Sequence, residues 1–262
     1  MGKQNSSQTR VEPVFNRLID SDSTGTSWLP RLLRLGSRAE TAAIPANIGV
    51  LAPTHKHWWG RNERRLPPSQ KLLKWLVTHI DEAAVNRSGD EGNIRDKRLL
   101  LARGDNKTTA EALGLIQAGK RGRLWHNLEG ESAPDAFVET DQIILVVEGK
   151  RTERSCTSKT KWMPRRSQLL RHMDAAFEVR QDRRVLGLLI VEGADNPPGD
   201  EASSYWKAQA DEQVSEKMLA DSLPHRSPEE RATIASGVLG VATWERVCSE
   251  FGIAWPPVTD EP

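Results

Sequence analysis

Pro134 and Asp135 stand just before a short β-branched and aromatic stretch, Ala136-Phe137-Val138, and Glu148-Gly149-Lys150 closes an apolar run from Ile143 to Val147. Two carboxylates and an ammonium brought together suit one kind of chemistry: the acids gather a hard divalent cation while the positive group faces a phosphoryl oxygen. Register decides whether they meet. The two stretches read as a hairpin turning at Asp141-Gln142. Reflection about that turn sets Asp135 directly opposite Glu148, and directly paired residues share a sheet face with Cβ atoms ~5 Å apart. Lys150 projects to the same face because strand side chains alternate with a period of two. A slip of one residue would send the two acids to opposite faces.

Facing acids repel unless a cation lies between them. Mg²⁺ suits that gap, since it favours carboxylate, carbonyl and water oxygens and also takes phosphate oxygens. The Gly149 carbonyl lies between the key residues and is a further candidate ligand. Lys150 would orient an attacking water or neutralise charge on a phosphorane-like transition state. The competing reading is an ordinary surface ion pair of little energetic worth. An E-x-K tripeptide alone says almost nothing, but this one ends an apolar run, where solvated charge is not expected.

Pro134-Asp135 followed by Glu148-Gly149-Lys150 resembles the signature of the PD-(D/E)XK nuclease superfamily. The resemblance implies a restriction-endonuclease-like fold and a metal-dependent nuclease, with Asp135 and Glu148 as metal ligands and Lys150 as the catalytic lysine. It further implies Mg²⁺ as cofactor, with Mn²⁺ as a substitute, and DNA as partner, with RNA left open. In such nucleases the helix after the hairpin often turns a polar residue back to the site, and Gln168 in the segment RRSQLLRHMDAA is similar to that residue. His172 follows one helical turn later, where some relatives carry tyrosine. An upstream acid often completes such a site; Glu129 and Glu131, or Glu111 on an earlier helix, are the candidates. The likeness spans about residues 108 to 193, and the flanking segments resemble nothing familiar.

The surrounding elements must hold this hairpin. Residues 1–27 read as a polar, frayed start, and residues 1–66 as an irregular Trp- and Pro-containing segment packed on the core. A nuclease-like domain is expected over 67–262, with its core at 108–193. Ser69 opens a helix in which Leu72, Leu73, Leu76, Ile80 and Ala83 recur at helical spacing until Asn86. A helix carries Lys97 to Ala102, and another starts at Thr108 with Glu111 as its capping-box partner. After the hairpin, Pro164 suits the first turn of a helix bearing Leu169, Leu170, Met173 and Phe177. Arg184 to Glu192 is a buried strand, 204–221 one amphipathic helix, Ser227-Pro228-Glu229-Glu230 a strong helix start, and Thr243 to Phe251 a last helix ended by Gly252. The order predicts an α/β sandwich, its mixed central sheet of about four to five strands flanked by helices.

With 262 residues and a net charge of +1, the chain does not announce a polyanionic partner by total charge. Its basic residues cluster instead. Arg151, Arg154, Lys159, Lys161 and Arg165 are expected to track phosphates beside the cut site, with Arg166 and Arg171 extending the strip; an ordinary solvated loop is the competing reading. Most of the nine tryptophans suit core packing. Trp162, between the basic loop and the following helix, is the best candidate for stacking on a base. His55 and His57 beside Trp58 lack the partners of a zinc site. Cys156 reads as an exposed thiol, and with Cys248 it forms neither a disulfide framework nor a zinc motif. No membrane span or secretory leader is evident, so a reducing cytoplasm is expected. A homodimer would suit double-strand cutting. The competing class is a module that keeps the fold and binds nucleic acid or protein without turnover.

Overall fold

In the computed structural model, the residues described are 6–47, 53–58, 62–122, 124–151, 156–157, 160–193 and 201–257. A mixed five-stranded sheet forms the centre, with strands β1 (His55–Trp58), β2 (Ala136–Glu139), β3 (Ile143–Gly149), β4 (Arg184–Val191) and β5 (Val238–Thr243) side by side in chain order. β2 runs antiparallel to both β1 and β3, whereas β3, β4 and β5 are parallel. The hairpin register pairs Ala136 with Val147 and Val138 with Leu145. Continued by one residue, it sets Asp135 opposite Glu148, as the reflection about Asp141-Gln142 requires.

Helices cover both faces, which explains why β3 and β4 are apolar without alternation. On one face Ile143, Leu145 and Val147 pack with α1 (Glu12–Ser21), α2 (Leu29–Arg34) and α11 (Trp244–Phe251). On the other, Ile144 and Val146 meet Leu169, Leu170, Met173 and Phe177 of α7 (Gln168–Val179), the crossover from β3 to β4. α3 (Gln70–His79), α4 (Glu82–Arg87), α5 (Gly92–Ala102) and α6 (Asn106–Gln117) lie between β1 and β2 in the chain and gather a separate core around Leu72, Leu76, Ala112 and Ile116. α8 (Ser204–Glu212), α9 (Glu216–Ser222) and α10 (Pro228–Ser236) separate β4 from β5. Among the described residues no helix is long and apolar enough to cross a membrane.

Several expectations need correcting. The start of the chain is not frayed over its described part: a π-helical turn, Ser7–Val11, leads into α1, and Val11, Val14, Phe15 and Leu18 are buried in the main core. Residues 1–66 are not merely irregular either, since they supply α1, α2 and the edge strand β1. The helix expected from Ser69 to Asn86 breaks at Ile80, because the Asp81 side chain accepts from the Ala84 amide and caps a new helix. α6 is capped by Asp105, which accepts from the Thr108 amide, rather than starting at Thr108. α7 is capped by Ser167 instead of being opened by Pro164. Ser215 likewise divides 204–221 into α8 and α9. The helix start at Ser227-Pro228 forms as read, with Ser227 and Glu230 adding a reciprocal capping box, and Gly252 ends α11 in the left-handed region at φ 65°.

Candidate active site

The C-terminal end of β3 carries the chemistry. Lys150 prolongs the ladder with β4, its amide donating to the Ile190 carbonyl at 2.8 Å. Strand alternation turns Glu148 and Lys150 toward α7, and both are buried, at 3% and 7% exposure. Isolated charges would be costly there, so each is paired. The Lys150 ammonium lies 2.7 Å from Glu148 Oε1 and donates to Gln168 Oε1 at 2.8 Å. One turn further along α7, His172 Nε2 meets Glu148 Oε2 at 2.9 Å. Because a carboxylate only accepts, that nitrogen carries the proton. His172 Nδ1 lies 2.6 Å from Ser132 Oγ. Gln168 and His172 thus hold the Lys150–Glu148 pair from one side.

Asp135 is held from the other side. Its Oδ2 accepts from the Gly149 amide at 2.8 Å, and its Oδ1 accepts from the Ser7 hydroxyl at 2.6 Å. Ser6 Oγ donates to the Gly149 carbonyl at 3.0 Å, while Trp244 Nε1 donates to the Lys150 carbonyl at 3.2 Å. A side chain at position 149 has no room, since a Cβ there would sit 2.9 Å from the Trp244 ring and 3.0 Å from Val11 Cγ2. The N-terminal helical turn therefore closes directly over the end of the hairpin.

The two acids differ electrostatically. Burial and the neighbouring charge of Glu148 push the Asp135 carboxyl up to about 7, against the hydrogen bonds from Ser7 and Gly149 and the charge of Lys150. Burial would raise Glu148 as well, but the hydrogen bond and charge of His172, together with Lys150, hold it below its ordinary value. The arrangement is one firmly ionised carboxylate beside a second carboxyl whose ionisation is opposed by the first.

This donor set, two carboxylates and the Gly149 carbonyl, is made of hard oxygens and fits Mg²⁺ in chemical type; a divalent cation would relieve the opposition between the acids. The same oxygens already have protein partners in Ser6, Ser7, Lys150 and His172. Among the described residues no cluster of three or more His, Cys, Asp or Glu is arranged to hold a metal. Glu129, the upstream acid, stands apart from the pair: its Oε1 accepts from Arg171 Nε at 2.5 Å, with Arg166 Nη1 at 3.8 Å. Glu131 is exposed, and Glu111 pairs with Lys97 at 2.7 Å.

The expected basic strip is only partly assembled. Arg151 turns to the opposite face from Lys150 and shares Glu192 with Arg10. Lys161 pairs with Asp90 at 3.2 Å and stays half exposed, and Arg165 is exposed. Arg154 and Lys159 lie outside the described residues. Arg166 and Arg171 do not extend the strip: Arg166 is buried against Asp174, and Arg171 holds Glu129 and the carbonyls of Gly130 and Glu131. Cys156 is buried, not exposed, in a small core with Trp206 and Val191. Trp28, Trp58, Trp125, Trp206 and Trp244 are buried as core residues.

Reading the sequence missed Ser6, Ser7, Ser132 and Trp244 as site neighbours. Lone serines carry no spacing signal, but the helical pattern of Val11, Val14, Phe15 and Leu18 could have shown that the segment beside Ser6 and Ser7 packs on the core. No protein-family model, no curated protein and no solved structure matches the chain.

Proposed function

We propose that this protein is a metal-dependent nuclease of the PD-(D/E)XK type that hydrolyses phosphodiester bonds, acting as a DNA endonuclease. The observation that carries the reading is the hairpin register, which sets Asp135 opposite Glu148 while Lys150 bonds both Glu148 and Gln168. Mg²⁺, with Mn²⁺ as a substitute, would be held by Asp135, Glu148 and the Gly149 carbonyl, and when bound would polarise the scissile phosphate and acidify a water. Glu129 is not counted among these ligands, because its Oε1 holds Arg171.

The chain's own groups do the rest. Lys150 supplies a compact positive charge with three donors, and Gln168 fixes its direction. Once a phosphate enters, the ammonium is positioned to donate to an oxygen that gains charge in the transition state. His172 keeps Glu148 ionised and anchored through Ser132, so the carboxylate meets the phosphate preorganised. Lys161 and Arg165 offer exposed positive charge to the phosphates that flank the cut. In this reading the enzyme works in the cytoplasm, and a homodimer would allow both strands to be cut.

A second reading has its own support. The oxygens of Asp135, Glu148 and Gly149 all have partners within the chain, as they would in a module that binds nucleic acid or protein without turnover. Incubating supercoiled, linear and single-stranded DNA, and RNA, with the protein in Mg²⁺, Mn²⁺ or EDTA separates the two. The nuclease reading expects cutting in the metals and none in EDTA. Binding without cutting in any metal would favour the module.

A further inference from the structure

We infer that the groove between α5, the loop around Asn127 and Trp162 is a pocket for a nucleobase that carries an exocyclic amine. The inference rests on the nuclease reading for the source of that base, a nucleic-acid strand.

Two buried acceptors motivate it. The Glu129 side chain is 2% exposed, and while Oε1 holds Arg171, Oε2 has no hydrogen-bond partner. Asn127 donates through Nδ2 to the Gly122 carbonyl at 2.9 Å, yet its Oδ1 is also without a partner. Leaving a buried acceptor unsatisfied is costly, and folds keep few of them. Here both belong to residues that line one groove of about 470 Å³, together with Leu124, Leu128, Arg98 and Trp162. That size is in the range of small-ligand sites. Trp162 adds a flat aromatic wall, and the Arg98 guanidinium lies 5.2 Å from its ring centroid.

The chemistry narrows the ligand. Two acceptors ask for N–H donors, and the indole asks for a planar, apolar-faced group. The groove's charges are already matched, since Asp90 on its wall pairs with both Arg98 and Lys161 and Arg171 holds the Glu129 carboxylate, so a neutral ligand suits it. A neutral base with an exocyclic amine meets all three demands: a carboxylate accepts from cytosine N4, and an aromatic ring stacks on the base. Uracil and thymine carry a carbonyl in place of that amine, which sets acceptor against acceptor at C4 and leaves one donor, N3–H, for two acceptors.

Two short links tie the groove to the candidate site. Arg171, which holds Glu129, follows Gln168 on α7 by three residues, a rise of ~4.5 Å. Gln168 holds Lys150, and Ser132, three residues after Glu129, is tied through His172 to Glu148.

Oligo-dC and oligo-dU share one backbone and ring and differ at each base in the amine or carbonyl at C4 and the proton at N3, so they form the decisive pair. Fluorescence anisotropy with labelled short strands in EDTA measures binding with no cleavage. The parent is expected to bind oligo-dC about tenfold more tightly than oligo-dU, the ratio that ~1.4 kcal/mol per site represents. Glu129→Gln, which replaces the open carboxylate with an amide able to donate, should collapse or reverse that preference. Asn127→Ala does not touch the Glu129 ion pair, so it remains informative if Glu129→Gln fails to fold; it should narrow the preference severalfold. Trp162→Leu should weaken both strands alike. Equal affinity for the two strands, no binding of either, or a preference untouched by Asn127→Ala would overturn the pocket. Cleavage of both strands in Mg²⁺ is followed in parallel. Unselective binding with cutting discards the pocket and keeps the nuclease, whereas amine-selective binding without cutting does the reverse.

Discussion

Asp174 shows how buried charge is handled in this chain. Within α7, its carboxylate accepts from Arg166 at 2.6 Å, Arg226 at 2.8 Å and His225 at 3.1 Å, and all four side chains are almost fully buried. Burial alone would raise this acid; the His225 hydrogen bond and the charges of Arg166 and Arg226 outweigh it and hold the carboxyl well below its ordinary range. Asp174→Ala takes from two buried arginines the carboxylate they share, leaving Arg226 to Glu178 and Glu230 and Arg166 to the more distant Glu129, and urea unfolding should show a loss of about 3 kcal/mol. The depressed folded value also sets the direction with pH. The stabilisation is complete above the unfolded value of 3.8 and fades as pH falls below it, so Asp174→Asn should flatten the acid limb of the stability curve. At the active end, Ser7 takes an oxygen of Asp135 that a cation would need. Ser7→Ala removes that competitor, and Mn²⁺ titration followed by electron paramagnetic resonance should show severalfold tighter binding; unchanged or weaker binding would mean that the hydroxyl does not compete.

At the scale of elements, α1 makes the sharpest demand. Phe15 is fully buried between the Trp28 and Trp58 rings, at centroid distances of 6.3 and 5.6 Å. Phe15→Ala should cost about 3–5 kcal/mol in chemical denaturation, whereas a frayed start would cost almost nothing. The apolar spacing of α1 was present in the sequence and was obscured by polar residues such as Asn16, Arg17 and Asp20 between its buried positions. β1 was harder to read. His-Lys-His-Trp has neither β-branched residues nor an apolar run, and it becomes a strand only because β2 offers an edge to pair with. β5 was missed for another reason: Gly240 interrupts it at φ 84°, and the pairing with β4 shifts register near Leu188. The hairpin and β4 were legible because both sheet faces are covered, so their residues form unbroken apolar runs. The candidate site was legible where strand alternation governs it, at Asp135, Glu148 and Lys150. It was not legible where distant segments converge, as at Ser7 and Trp244.

Across the whole molecule, the site sits where the two helical layers meet the end of β3. One layer brings Ser6, Ser7 and Trp244, and the other brings Gln168 and His172. A net charge of +1 leaves any nucleic-acid affinity to local patches rather than to the overall field. Replacing Lys161 and Arg165 together with alanine should therefore weaken DNA binding and lower the slope of log affinity against log salt by about two for a duplex, one per lost phosphate contact. An unchanged slope would take both residues out of the interface. The central claim is that Asp135 and Lys150 act on a phosphodiester. Asp135→Asn removes the carboxylate, keeps an oxygen that accepts from the Gly149 amide, and offers an NH2 that can donate to the Ser7 hydroxyl in place of the bond Ser7 now donates. The most direct test is single-turnover cleavage of DNA in Mg²⁺ by the parent, Asp135→Asn and Lys150→Ala, each shown to be folded by circular dichroism. The account predicts metal-dependent cutting by the parent and a loss of at least about a hundredfold in each variant, the scale at which removing a transition-state contact is felt. Cutting at the parental rate by either folded variant would contradict it.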